Sequence, residues 1–273
     1  MKFGSIDLNL DRIHVMGVLN VTPDSFSDGG QFNSLDSALR QAEAMQAAGA
    51  SFIDVGGEST RPGAAPVSLQ EEMDRVLPVV ERLAGQVDAV ISVDSSSPEL
   101  LDEAARLGMG LINDVRALQK EGALEVAAAT DLPICLMHMQ GSPQTMQDNP
   151  SYENAISDVS LFFEKRIQAC EKAGIEKSRL LLDPGFGFGK TLTHNLMLLK
   201  NLSQFESFGM PLLVGLSRKS MLGAITGKEV EARLVSSVSA AVISAMNGAR
   251  IVRVHDVSET IDALKVAQAV LDV

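Results

Sequence analysis

The sequence is short of positive charge: 23 lysines and arginines face 35 aspartates and glutamates, a net charge of −12 at pH 7. Affinity for nucleic acid rests on neutralising phosphates, so a duplex-coating protein is a poor reading of this chain. Cysteine is scarce too. Cys135 and Cys170 form no C-x-x-C and flank no histidine cluster, so they read as small buried hydrophobes in a reducing compartment. No apolar run approaches the roughly 20 residues that span a bilayer. The opening stretch is broken by Asp7, Asp11 and Arg12 before any such run forms, and reads as neither signal peptide nor anchor. No Pro/Ser-rich linker, charge block or low-complexity tract divides the chain. With 45% hydrophobic residues it can bury a core, and the expectation is a cytoplasmic enzyme or binding protein.

A length of 273 residues suits two domains of roughly 150 residues, or one α/β barrel of about 250. The internal pattern chooses between them. A β-branched run, a break rich in Gly, Pro and Asp, and a segment of helical period recur about eight times. The runs are 14–21, 52–56, 89–94, 111–115, 134–138, 180–183, 212–216 and 251–255, nearly continuous in apolar residues as strands covered on both faces must be. Ser68 with Glu71 forms a capping box, and Ser97-Pro98 places an N-cap and a first-turn proline. Gly49, Gly108, Gly174 and Gly248 fall where helices should stop, and a helix is expected over 230–246. The fold expected is a (β/α)8 TIM barrel, one domain over residues 1–273. An open doubly wound sheet would carry a dinucleotide fingerprint after its first strand, where this chain has Asn20-Val21-Thr22-Pro23-Asp24.

Barrels carry their chemistry at the C-terminal ends of the strands. Those ends are polar throughout: Asn20, Glu58 to Arg61, Asp94, Asn113-Asp114, His138, Asp183, Ser217 to Lys219, and Arg253 with His255. Capping or loop chemistry explains any single one, Asp114 and Ser95 above all, but explains the whole set poorly. Arg61, Lys219, Arg253 and His255 form a cationic group, the last two sharing a strand face at period two, where barrels commonly hold phosphate. Asp94, Asn113 and Asp183 would suit a heterocycle edge rich in N–H donors, a metal, or acid–base work, and spacing alone leaves these open.

Three sharper readings fare badly. Gly185 to Thr191 approaches a phosphate-cradling P-loop, but Pro184 stands where its first glycine is required. His14, His138, His194 and His255 never pair at metal-ligand spacing. Lys219 could form an imine, yet Arg218 beside it favours a fixed ammonium hydrogen bonder.

The ordered motifs MGVLNVTPDSFSDGG, DVGGESTRPGA, SVDS, INDV, MHMQG, LDPGFGFGKT, GLSRKS and RVHD, from residue 16 to 256, resemble the dihydropteroate synthases of the pterin-binding enzyme family. Eight motifs in order are far more specific than any one. The resemblance implies condensation of 6-hydroxymethyl-7,8-dihydropterin diphosphate with 4-aminobenzoate, giving 7,8-dihydropteroate and pyrophosphate, with Mg2+ as cofactor on the diphosphate. It implies Asp94, Asn113 and Asp183 on the pterin edge, Lys219 bonding the ring, and Met137 and Phe188 lining its pocket. Asn20, Thr60, Arg61, Arg253 and His255 would hold the diphosphate, with Asn20 as metal ligand; Phe26, Pro62 and Ser217 would border the aminobenzoate. Asp94, Asp183, Lys219, Arg253 and His255 carry the implied catalysis, and the implied assembly is a homodimer through the outer helices. The related corrinoid methyltransferases would share the acidic contacts but not the STRPG, SRKS and RVH segments together, and a pterin-binding paralogue without turnover is the third possibility.

Overall fold

The structure is a computed structural model that describes residues 1–22, 31–58, 67–142 and 145–273. A short hairpin, β1 (Lys2–Phe3) and β2 (Ile6–Asp7), precedes eight parallel strands: β3 (His14–Asn20), β4 (Phe52–Gly56), β5 (Val90–Asp94), β6 (Leu111–Asp114), β7 (Ile134–Met137), β8 (Leu180–Asp183), β9 (Leu212–Val214) and β10 (Ala249–Val254). They close into a barrel in chain order, β10 pairing back onto β3 with Arg253 opposite Met16. The helices between them are α1 (Gln31–Ala47), α2 (Leu69–Leu83), α3 (Pro98–Arg106), α4 (Ala123–Ala129), α5 (Ala155–Lys172), α6 (Leu192–Lys200), α7 (Ser220–Thr226), α8 (Leu234–Met246) and α9 (Val257–Leu271). The architecture is a (β/α)8 barrel, as the repeated pattern predicts. Among the described residues no helix is long and apolar enough to cross a membrane.

Most helix ends lie where the sequence places them. Ser68 and Glu71 make the reciprocal capping box of α2. The four stop glycines all take positive φ, between +87° and +106°, which a side chain would resist. One expectation is met in position but not in bonding, and one needs correction. Ser97 sits at the N-cap of α3 but its hydroxyl makes no cap bond; it donates to Glu72 Oε2 at 3.0 Å and accepts from Lys120 Nζ at 3.2 Å. The bond to Glu72 turns the hydroxyl toward α2, and the Lys120 ammonium takes up its oxygen as the donor in place of the first-turn N–H groups. The segment 230–246 begins as a 3-10 turn, Val230–Ala232, before α8 starts at Leu234.

Inside the barrel the strands alternate, and one layer is wholly apolar: Met16, Phe52, Val90, Leu111, Cys135, Leu181, Leu213 and Ile251 meet Phe3 of the hairpin, all at most 1% exposed. Phe3 packs edge-on against Phe52 at 5.0 Å, so the hairpin closes this end of the barrel. Water is excluded beneath the layer that follows. Cys135 belongs to this plug, Cys170 lies between strands and helices, and both are free thiols, buried as expected.

Candidate active site

One period of alternation above the plug the interior turns polar. Asp54, Ser92 and Asn113 stand in adjacent strands, Asp54 opposite Ser92, and Asp94 opposite Asn113. Asp54 is fully buried and accepts three side-chain donors: Ser92 Oγ at 2.5 Å, Arg253 Nε at 2.6 Å, and Asn113 Nδ2 at 3.3 Å. Arg253 uses its Nη2 on Asp94 Oδ2 at 2.9 Å. One guanidinium from β10 therefore bridges carboxylates from β4 and β5 across the barrel.

This arrangement governs the charges. Burial pushes the Asp94 carboxyl up to about 7; the Arg253 guanidinium works against that, while Asp54, Asp114 and Glu72 add to it. Burial likewise raises Asp183 to about 6, against the Gly185 N–H that its Oδ1 accepts at 2.7 Å and the charges of Lys219, Lys190 and Arg253. Burial and the neighbouring Arg253 bring Lys219 down to about 8. Burial disfavours the charge on Arg253 as well, but Asp54 and Asp94 outweigh it and hold the guanidinium protonated. An unliganded site thus carries carboxyls poised near neutrality, and N–H donors from a bound ring would favour their ionised form.

Lys219 is aimed by a constrained turn. Arg218 takes φ +58°, its N–H bonds Ser237 Oγ, its carbonyl accepts Arg233 Nη1, and its own guanidinium is paired to Asp256 at 2.5 Å. Arg218 is therefore spent on the turn, while the Lys219 ammonium lies 4.1 Å over the Phe188 ring. Phe188 joins Met137, Met146 and Val115 in a small apolar cluster, with Met139 packed on it. A flat ring would find an apolar wall beside the polar layer.

The glycine-rich segment after β8 is no phosphate cradle. Gly185, Gly187 and Gly189 turn the chain at φ +67°, +81° and +65°. Lys190, 3% exposed, points into the protein and donates to Gly185 O at 2.8 Å, Phe188 O at 3.0 Å and His138 Nδ1 at 2.9 Å. Burial lowers its amine to about 7, and burial with Lys190 beside it brings His138 down to about 3, leaving a neutral imidazole able to accept. His138, polar and at a strand end, thus serves the loop scaffold. Asp114 does the same for the turn after β6, accepting Arg116 N at 2.8 Å, Leu118 N at 2.7 Å and the Ser96 hydroxyl. Ser95 Oγ accepts the Ser97 N–H.

Of the other site residues read from sequence, Asn20 ends β3 half-buried opposite Gly56, and Ser217 Oγ accepts the His255 N–H at 3.2 Å and lies 3.0 Å from His255 Nδ1. Phe26, Thr60, Arg61 and Pro62 lie outside the described residues. Asp54 is the member that strand-end reading misses. It sits in mid-strand, and the signal for it was the period of two: Phe52, Asp54 and Gly56 share one face of β4. Among the described residues no group of three or more His, Cys, Asp or Glu is placed to hold a metal ion.

An acidic and amide layer beneath an ammonium, with an apolar wall at the mouth of a (β/α)8 barrel, defines a binder of a flat, donor-rich ring, and residues 16–255 match the family described as pterin binding enzyme: the chain belongs to that family. Within it the chain falls among the dihydropteroate synthases, transferases of folate biosynthesis. The dihydropteroate synthase of Escherichia coli strain K12 is 56% identical over 264 residues, covering 97% of this chain and 94% of the relative. A Yersinia pestis dihydropteroate synthase, solved in a sulfonamide drug complex, superposes with a TM-score of 0.96 at 55% identity over 100% of this chain and 99% of that one. The Xanthomonas albilineans enzyme, solved with 4-aminobenzoic acid, gives 0.92 at 48% identity, covering 97% and 96%.

Proposed function

We propose that this barrel condenses 6-hydroxymethyl-7,8-dihydropterin diphosphate with 4-aminobenzoate, seating the pterin on the inner polar layer and the diphosphate at the mouth. The observation that carries the reading is the set of buried Asn113 and Asp183 with the half-buried Asp94, grouped with Lys219 and beside Met137 and Phe188. Carboxylates only accept, so they select the N–H edge of a pterin, while Lys219 donates to a ring acceptor. The Arg253 guanidinium, tied to Asp54 and Asp94, is a rigid part of the pterin seat, and the N–H groups it does not spend on those carboxylates are assigned to the departing diphosphate. His255 and Asn20, at or next to the ends of their strands, are assigned to the diphosphate together with Thr60 and Arg61, with Phe26, Pro62 and Ser217 around the aminobenzoate.

The chemistry needs little more than electrostatics. The C–O bond between the pterin methylene and the diphosphate breaks, pyrophosphate leaves with the electron pair, and the aryl amine forms the new C–N bond and loses a proton. Asp94 and Asp183, ionised once the pterin donates to them, stabilise positive charge developing on the pterin methylene. The amine is neutral at pH 7 and needs no strong base, in keeping with His138 being occupied by Lys190.

Asn20 supplies one neutral amide oxygen, too little to hold Mg2+ alone but suited to an ion that keeps waters and phosphate oxygens. When bound there, Mg2+ would neutralise charge on the leaving group. We assign the enzyme to the cytoplasm, a reading supported by two buried free thiols. A homodimer is supported by apolar side chains exposed on the packed pair α8 and α9, among them Val235, Ile243, Val266 and Val270.

The test supplies pterin diphosphate, Mg2+ and 4-aminobenzoate and measures pyrophosphate. Release that requires aminobenzoate and is suppressed by a sulfonamide supports the reading; a corrinoid-dependent methyl transfer, or pterin binding without pyrophosphate, would replace it.

A further inference from the structure

Asp54 is fully buried, so no ligand at the mouth touches it. A carboxylate in that position is costly unless it is paired, and three donors meet it: Ser92, Arg253 and Asn113. Two of these belong to the substrate seat. Because a carboxylate can only accept, the atom that Asn113 turns toward Asp54 must be its amide nitrogen, and Nδ2 lies 3.3 Å from both carboxylate oxygens. The carbonyl oxygen of Asn113 is then the atom left for a ligand. Arg253 is held in the same way: with Nε on Asp54, only Nη2 reaches Asp94.

We propose that Asp54 is the positioning residue of this site, aiming Arg253 and fixing the Asn113 amide so that an acceptor faces the substrate. The layer then offers Asp94, Asp183 and the Asn113 oxygen together, three acceptors for one N–H-rich ring edge. Asp54 decides which ring the site selects without touching it. This rests on the pterin reading above, and wild-type turnover is measured first so that failure of that reading is seen separately.

The experiment compares Asp54→Asn, Asn113→Asp and the double variant Asp54→Asn/Asn113→Asp by steady-state kinetics, calorimetric titration with pterin diphosphate, and circular dichroism. In Asp54→Asn the neighbouring amide is no longer forced to one orientation, and KM for pterin diphosphate rises roughly tenfold or more while KM for 4-aminobenzoate stays put. Asn113→Asp sets two acceptors against each other and loses more. In the double variant the amide at position 54 donates to the carboxylate at 113, an acceptor again faces the mouth, and most of the Asn113→Asp loss returns. The groups facing Asp94 are Asp54 from β4, Arg253 from β10, Asp114 from β6, Glu72 from α2 and Lys219 beyond β9. Removing the like charge of Asp54 moves the acid limb of kcat/KM to lower pH, which a purely structural role would not do. An Asp54→Asn enzyme with wild-type KM, or both KM values rising alike, or a double variant no better than Asn113→Asp, overturns the proposal. The comparison of Asn113→Asp with the double variant still decides it if Asp54→Asn alone does not fold.

Discussion

Replacing Gly185 with alanine tests how the loop after β8 holds Asp183. Gly185 takes φ +67°, and a Cβ there would lie 1.9 Å from the His138 carbonyl oxygen and 3.3 Å from Met137 Cγ. An ordinary carbon–oxygen contact needs about 3.3 Å, so the backbone must open by about 1.4 Å. That movement breaks the Gly185 N–H to Asp183 bond of 2.7 Å and the Lys190 bond to Gly185 O of 2.8 Å, both buried. A left-handed alanine costs about 1 kcal/mol and each of the two buried bonds left half-made about 1–3 kcal/mol, so the variant should lose about 3–7 kcal/mol. Urea unfolding at pH 7.5 measures it. Gly174→Ala is the control, since Gly174 has φ +87° but a Cβ there would meet nothing within 4 Å; it should lose only the backbone cost, about 1 kcal/mol. Without the Gly185 N–H, the charged form of Asp183 is less favoured, and kcat/KM for the pterin substrate at pH 7 should fall about tenfold or more. If Gly185→Ala unfolded with Gly174→Ala and kept the wild-type KM, the loop would not be positioning Asp183.

Three further outcomes follow from the same contacts. Lys190→Met keeps the buried stem but strands three carbonyls and the His138 nitrogen, and should cost about 2–4 kcal/mol by urea unfolding; a loss below about 0.5 kcal/mol would contradict the clamp. His138 protonates near 3 folded against 6.5 unfolded, so its contribution is lost as pH falls from 6.5 toward 3, while Asp94 and Asp183, raised to about 7 and 6, contribute with the opposite sign over the window from 3.8 upward. Between pH 6 and 4 the two carboxyls outweigh the imidazole, so on these groups the urea midpoint rises as pH falls; His138→Gln removes the opposing contribution and should steepen that rise, and an unchanged slope would refute the assignment. Ser68→Ala breaks the capping box of α2 and should cost about 1 kcal/mol in unfolding without moving either KM.

The strands were legible in sequence because a parallel barrel strand, covered on both faces, is written as an apolar run, and 180–183 ends on Asp183 as read. The residues at strand ends were legible for the same reason, as polar letters closing apolar words. What they bond to was not. Arg253 meets Asp54 and Asp94 across 199 and 159 residues of chain, a pairing only closure of the barrel creates, so a residue that reads as a free anion clamp is in fact tied between two carboxylates. His138 shows the limit of reading ends without faces: Met137 joins the apolar cluster at the mouth, so the next residue points outward, to Lys190 and Phe162. Ser97 shows the limit of local motifs, since its hydroxyl follows Glu72 on a helix packed beside it.

The central claim is that the buried acceptors at the strand ends are the seat of the pterin. Calorimetric titration of wild type and Asp183→Ala with 6-hydroxymethyl-7,8-dihydropterin diphosphate tests it most directly. Loss of a charged hydrogen-bond partner predicts affinity weaker by roughly 10- to 100-fold, with circular dichroism unchanged and turnover falling in step. Wild-type affinity and turnover in a folded Asp183→Ala enzyme would contradict the account.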